Sequence, residues 1–154
     1  MAGYSGTALV DKLGIKPGAR LAFVDAPPGF DRLLGTLPAG ARKATAQTDF
    51  AIAFATSAAV LGKSFARLAS RTAPAGMLWV AWPKKAARVQ TDLTEDVVRR
   101  IGLAAGMVDV KVCAIDETWS GLKFVFRLKD RTRAMPGLSS ARTAQQLKER
   151  RRRP

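Results

Sequence analysis

Four short polar stretches in this chain follow apolar runs, where functional side chains are commonly placed. Trp82-Pro83-Lys84-Lys85 sets two lysines behind one such run. Lysines there can bind an anion or stabilise developing negative charge, or simply stand in water at a sheet edge. Asp116-Glu117-Thr118-Trp119-Ser120-Gly121 combines two carboxylates, two hydroxyls and an indole. Asp116 and Glu117 can hold a metal, act as a base or pair with the lysines, and Trp119 can stack on a planar ligand or cover the core. Thr56 and Ser57 follow a third run, and Asp25-Ala26-Pro27-Pro28-Gly29-Phe30 follows a fourth. The candidate ligand-binding set is therefore Asp25, Pro27, Phe30, Thr56, Ser57, Lys84, Lys85, Asp116, Glu117, Trp119 and Ser120.

Composition removes several chemistries. The chain has no histidine, so Ser-His-Asp and Cys-His catalysis are excluded, together with most zinc and iron sites. No metal site is expected. Cys113, the single cysteine, rules out an internal disulfide and reads as a packed small residue rather than a nucleophile. Tyr4, the single tyrosine, reads as a surface or packing residue. The Asp25–Phe30 loop is unlike a cofactor loop. A glycine-rich loop cradles pyrophosphate with backbone N–H groups, whereas Pro27 and Pro28 supply none. Asp25 would repel phosphate, although it could bind a ribose hydroxyl. A standard NAD or S-adenosylmethionine site is thus not indicated, and the cofactor is left open.

The elements that would position these residues follow from pattern. Gly6 to Gly14 reads as a short helix capped by Thr7, with Gly14 in the left-handed closing position. Leu21 to Val24 reads as a strand, Phe30 to Leu34 as a short helix, and Ala41 to Ala44 as a short strand. Phe50 to Ala55 and Met77 to Trp82 are continuous apolar runs, as expected of strands buried on both faces. Thr56-Ser57 caps a helix to about Ser70 with Leu61, Phe65 and Leu68 on its apolar stripe and Lys63, Arg67 and Arg71 in water. Asp92-Leu93-Thr94-Glu95 has capping-box spacing, opening a helix that carries Val97, Val98, Ile101 and Ala105 and closes at Gly106. Val108 to Ile115 alternates, with Val108, Val110, Val112 and Ala114 on one side. Leu122 to Lys129 alternates again, with Leu122, Phe124, Phe126 and Leu128 buried.

Strands alternating with helices predict a parallel sheet with helices on both faces, and the final hairpin predicts one antiparallel strand. This is an α/β, three-layer, Rossmann-like arrangement of the kind found in methyltransferases, with a shortened first half. In such a sheet ligands bind beyond the carboxyl ends of the strands, where the four polar stretches would meet.

Net charge is +14, and half of it lies in residues 131–154, with eight Lys/Arg against one Glu. Residues 1–130 read as one domain and 131–154 as a basic tail, disordered or marginally helical. Its Arg150, Arg151, Arg152 and Arg153 can bind nucleic acid or another polyanion through counterion release, without aromatic stacking. No apolar run reaches the ~20 residues of a membrane helix, and no signal peptide is evident, so a cytoplasmic protein without membrane partners is expected.

Trp82-Pro83-Lys84-Lys85, Thr91 to Arg99, Gly102 to Cys113 and Asp116 to Phe124, with Gly3-Tyr4-Ser5-Gly6-Thr7 and the Asp25-Ala26-Pro27 turn, resemble a family of short bacterial proteins catalogued as a domain of unknown function. The resemblance spans about residues 1–130. It implies a homologous fold and no particular activity, and the tail lies outside it. Three functions remain open. One is a binding or regulatory module for an anionic ligand or partner, another a divergent S-adenosylmethionine-dependent methyltransferase, and the last a protein associated with nucleic acid through its tail.

Overall fold

A computed structural model describes residues 8–131. Thr7, Tyr4 and the arginine-rich tail lie outside them. The chain runs α1 (Leu9–Leu13), β1 (Arg20–Val24), α2 (Phe30–Leu34), β2 (Arg42–Lys43), β3 (Thr48–Phe54), α3 (Ala58–Ser70), β4 (Thr72–Pro83), a 3-10 turn (Lys85–Ala87), α4 (Glu95–Ala104), β5 (Met107–Ala114), β6 (Trp119–Phe126) and α5 (Leu128–Arg131). Six strands form one sheet in the order β2-β1-β3-β4-β6-β5. The first four are parallel, and β6 runs antiparallel to both β4 and β5. None of the helices among the described residues is long and apolar enough to cross a membrane.

Each face of the sheet has its own core. Val10 and Leu13 of α1 and Phe30 and Leu34 of α2 pack with Leu21, Phe50, Ile52 and Trp79 on one face. Leu61 and Phe65 of α3 and Val98 of α4 pack with Leu78, Val80, Leu122 and Phe124 on the other. The central strands β3 and β4 feed both cores because successive side chains alternate between faces, which is why their sequences are apolar throughout. Trp79 is fully buried, and its indole N–H donates to the carbonyl of Leu13 at 3.0 Å, fastening α1 to the central strand. Arg20 grips Asp49 with its backbone N–H, Nε and Nη2 at 2.8–3.0 Å, joining β1 to β3. That guanidinium holds the Asp49 carboxyl below the usual carboxylate range.

Helix ends are set by local chemistry with one exchange. Ser57 caps α3 by accepting from Val60 N–H, and Gly14 closes α1 with φ +88°. Asp92, expected to cap α4, instead accepts from Ala58 N–H at 2.8 Å and so supplements the cap of α3. Thr94 takes its place on α4, accepting from Val97 N–H. At the start of α3 the carboxylate meets an unsatisfied N–H and the positive end of that helix.

Two alternation patterns break. A bulge between Asp109 and Lys111 shifts the register of β5 against β6. Val108 and Lys111 therefore share a face, Asp109 turns to the other, and Val110 and Val112 are about half exposed. Strand β6 ends at Phe126, and Leu128 begins α5 in solvent rather than in the core.

Candidate functional site

From β1 the chain crosses to β2 on one side, and from β3 it crosses to β4 on the other. The connections that leave the carboxyl ends of the neighbouring strands β1 and β3 therefore go opposite ways, which opens a crevice in sheets of this kind. A cleft of about 320 Å³ lies here, lined by Pro27, Pro28, Gly29, Phe30, Leu33, Phe54, Ile115, Asp116, Thr118 and Trp119. Its size is at the lower end of small-ligand sites, which measure roughly 300–1,000 Å³.

The walls come from three elements. The loop after β1 turns through Asp25 and Gly29, at φ +56° and +89°, and delivers Phe30 to the start of α2. Strand β3 contributes its last residue, Phe54. The turn between β5 and β6 supplies the opposite wall. Phe23, Phe30, Phe54 and Trp119 meet edge to face in sequence, with centroids 5.2, 5.0 and 5.1 Å apart. Each such pair adds about 0.5–1.5 kcal/mol beyond its buried area. This aromatic row crosses from β1 to β6 and leaves Trp119 part-exposed at the cleft.

Asp116 is committed to its own turn. Its Oδ1 accepts from the N–H groups of Thr118 and Trp119, both at 2.8 Å. Asp116→Ala is expected to cost about 1–3 kcal/mol of stability in urea unfolding, because two donors lose a charged acceptor. Asp116→Asn keeps an acceptor and is expected to recover most of that loss.

The candidate residues fall into separate places. Pro27, Phe30, Asp116 and Trp119 converge on the cleft. Asp25 stands exposed at the tip of β1, and among the described residues its carboxylate has no hydrogen-bond or ion-pair partner. Glu117 is exposed on the turn. Lys84 bonds to the turn through its backbone N–H, to Thr118 O at 2.8 Å, but neither it nor Lys85 lines the cleft. Thr56 and Ser57 turn to the opposite face, where Ser57 caps α3 and the Thr56 carbonyl accepts from Thr91 Oγ1. Ser120 pairs with Trp82 on that opposite face as well. Burial pushes the Cys113 thiol up, against the pull of Lys12 and Lys111, as suits a packed residue and not a nucleophile.

Pro28, Gly29 and Thr118 line the cleft from stretches that the sequence singles out, though they are not in the candidate set. Leu33, Phe54 and Ile115 were not foreseeable, because an apolar residue that walls a cleft has the same sequence signature as one that fills a core. The described residues contain no group of three or more His, Cys, Asp or Glu side chains that could hold a metal.

No family model matches the sequence, and no curated protein matches it. Solved structures do match in shape. A magnesium protoporphyrin IX methyltransferase from Synechocystis PCC 6803, with S-adenosylhomocysteine bound, has a TM-score of 0.52 at 12% identity, over 77% of this chain and 78% of its own. An S-adenosylmethionine-dependent methyltransferase from Aquifex aeolicus has a TM-score of 0.53 at 14% identity, over 75% of this chain and 86% of its own. The 1,6-didemethyltoxoflavin-N1-methyltransferase of Burkholderia thailandensis has a TM-score of 0.51 at 13% identity, over 75% of each chain. The fold of this chain is that of the Rossmann-like methyltransferases.

Proposed function

We propose that this chain binds S-adenosylmethionine or a closely related adenosyl compound, with the adenosyl group in the cleft between the β1–α2 loop and the β5–β6 turn. The observation that carries this reading is the aromatic-walled cleft at the carboxyl ends of β1 and β3, where the connections leave in opposite directions. Two solved proteins of the same fold hold S-adenosylhomocysteine. The residues present fit the adenosyl part. Trp119, part-exposed at the cleft, offers its indole to a purine, and the buried rings of Phe30 and Phe54 back the wall behind it. Asp25 is outside the cleft lining but two residues before Pro27 in the same loop, and its exposed carboxylate would meet ribose hydroxyls or an ammonium group that extends beyond the cleft.

The loop also separates adenosyl ligands from dinucleotides. Pro27 and Pro28 have no N–H, and Phe30 N–H is already given to Pro27 O at 3.2 Å. A pyrophosphate would find few donors there, whereas an adenosyl sulfonium needs no phosphate cradle. The anionic-ligand reading rests on Lys84 and Lys85, which stand outside the cleft. S-adenosylmethionine supplies an electrophilic methyl group when bound. The chain's own contribution is to bind and orient it. Among the described residues that line the cleft, Asp116 is the one with an ionisable side chain, and its turn already engages it, so the reading assigns the lining a binding role and no general base.

Thermal unfolding with S-adenosylmethionine, S-adenosylhomocysteine and NADP tests the reading. An adenosyl ligand at 100 times its Kd is expected to add about 2.7 kcal/mol of stability. Trp119 emission should change with it, and NADP should do neither. An absence of stabilisation by both adenosyl ligands at millimolar concentration defeats the proposal.

A further inference from the structure

The face of the β5–β6 hairpin that bears Ile115 and Trp119 continues below the cleft into a group of lysines. Lys111 and Lys123 are direct cross-strand partners. Like charges placed opposite each other destabilise a sheet, so this pairing carries a cost. The neighbouring α1 and its following loop add Lys12 and Lys16. Lys111 Nζ donates to the carbonyl of Lys12 at 2.9 Å, and Lys12 Nζ donates to the carbonyl of Ala114 at 3.3 Å. Lys123 Nζ reaches the closing turn of α1, 4.0 Å from where a side chain at Gly14 would begin. Burial first, then Lys111 and Lys16, push the Lys123 ammonium towards its neutral form.

The β5 bulge sorts charge between the two faces. It turns Asp109 away to Arg99 of α4, where Oδ2 accepts from Nε at 2.9 Å, and it sets Lys111 across from Lys123. Among the described residues, none of Lys16, Lys111 and Lys123 forms an ion pair with a carboxylate. An ammonium has three donors, so Lys111 keeps two after its bond to α1. Lys111 is thus fixed by a backbone bond, and Lys16, Lys111 and Lys123 leave positive charge uncompensated by any carboxylate among the described residues.

We propose that this hairpin face binds the phosphate backbone of nucleic acid through Lys16, Lys111 and Lys123, beside Lys12. The face is open strand surface and not a cavity, so a small anion would gain no enclosure. A polyanion gains from engaging several lysines at once, through counterion release. Among the described residues no aromatic side chain stands beside Lys111 and Lys123 on this face, so the lysines meet phosphates and bind independently of base sequence. Val108 and Val125, which flank them, are part-buried and make a poor membrane anchor. The inference is independent of what the cleft holds.

The test uses the full chain with a labelled mixed-sequence RNA and the matching DNA duplex, titrated by fluorescence anisotropy from about 50 to 200 mM salt. Lys111→Gln with Lys123→Gln is expected to weaken binding at least tenfold and to lower the salt slope by about 1.4–1.8, because two phosphates are no longer neutralised. Its melting temperature should hold or rise, because a like-charge pair is removed. Lys16→Gln, outside the strands, is expected to weaken binding severalfold without touching the sheet. Replacing Arg150 to Arg153 by Gln should leave the dependence on Lys111 and Lys123 in place. Unchanged affinity and slope in the double variant overturn the proposal. So does lysine-dependent binding to phosphatidylserine vesicles with no binding to either nucleic acid.

Discussion

Trp79→Ala is expected to lower the free energy of unfolding by about 3–5 kcal/mol, the range for truncating a buried aromatic residue. Trp79 is fully enclosed, between β3 and β6 in the sheet and beneath α1. Its ring also meets Gly121, where a Cβ would come within 3.0 Å of it, so the strand beside it offers no side chain to fill the space. Losing the ring leaves a cavity and orphans the Leu13 carbonyl as an acceptor in a dry core. A buried group without its partner costs about 1–3 kcal/mol. For a domain whose whole stability is about 5–15 kcal/mol, the variant stands near the folding threshold. Trp79→Phe keeps most of the packing and loses the hydrogen bond, and it is expected to cost less than half as much. Equal losses in the two variants, measured by urea unfolding, would show that the hydrogen bond and not the volume dominates.

The second large effect is a coupling. Phe124→Ala is expected to cost about 3–5 kcal/mol, since the ring is fully buried and packs edge-on to Phe65 with centroids 5.3 Å apart. Gly102 of α4 lies directly on that ring, and a Cβ there would come to 2.1 Å from Phe124 Cε1. Gly102→Ala should therefore destabilise by about 1–3 kcal/mol through overpacking. An alanine in mid-helix is otherwise favoured over glycine by about 1 kcal/mol. In the Phe124→Ala background the clash is gone, and Gly102→Ala should become stabilising. The double-mutant cycle is expected to show a coupling of about 2–3 kcal/mol. A coupling near zero would mean that α4 shifts away from the sheet at no cost.

These two packing sites also mark what the sequence makes legible. The runs Phe50 to Ala55 and Met77 to Trp82 announce two-faced burial, and β3 and β4 occupy the centre of the sheet accordingly. Ser57 and Gly14 end helices as their local chemistry directs. Long-range choices are hidden. Asp92 is a good cap in sequence and caps a different helix in space. Strand β4 begins at Thr72, which pairs with Thr48, and runs through Pro74 and Gly76 well before the apolar run that starts at Met77. The alternation Val108-Asp109-Val110-Lys111-Val112 looks regular, because a bulge leaves no trace in composition.

The site divides in the same way. The Pro27–Phe30 loop, Asp116 and Trp119 meet at the carboxyl edge of a mostly parallel sheet, an arrangement the pattern predicts without giving the strand order. The capping role of Ser57 is legible as well, but not that it draws Thr56 and Ser57 away from the cleft, and the register that sets Ser120 opposite Trp82 is hidden. The lysine face draws on Lys12, Lys16, Lys111 and Lys123, which are far apart in sequence and meet only because α1 packs beside the hairpin.

The bond from the Trp79 indole to Leu13 has a further consequence for the chain as it is made. It spans 66 positions, so the first helix is synthesised long before its anchor exists. A five-residue helix has no stability of its own in water. Strand β4 must leave the ribosome and pair with β3 before α1 can settle. Helix α1 therefore settles after the middle of the sheet, and a nascent chain arrested before β4 has emerged carries α1 without its anchor, open to proteases and chaperones.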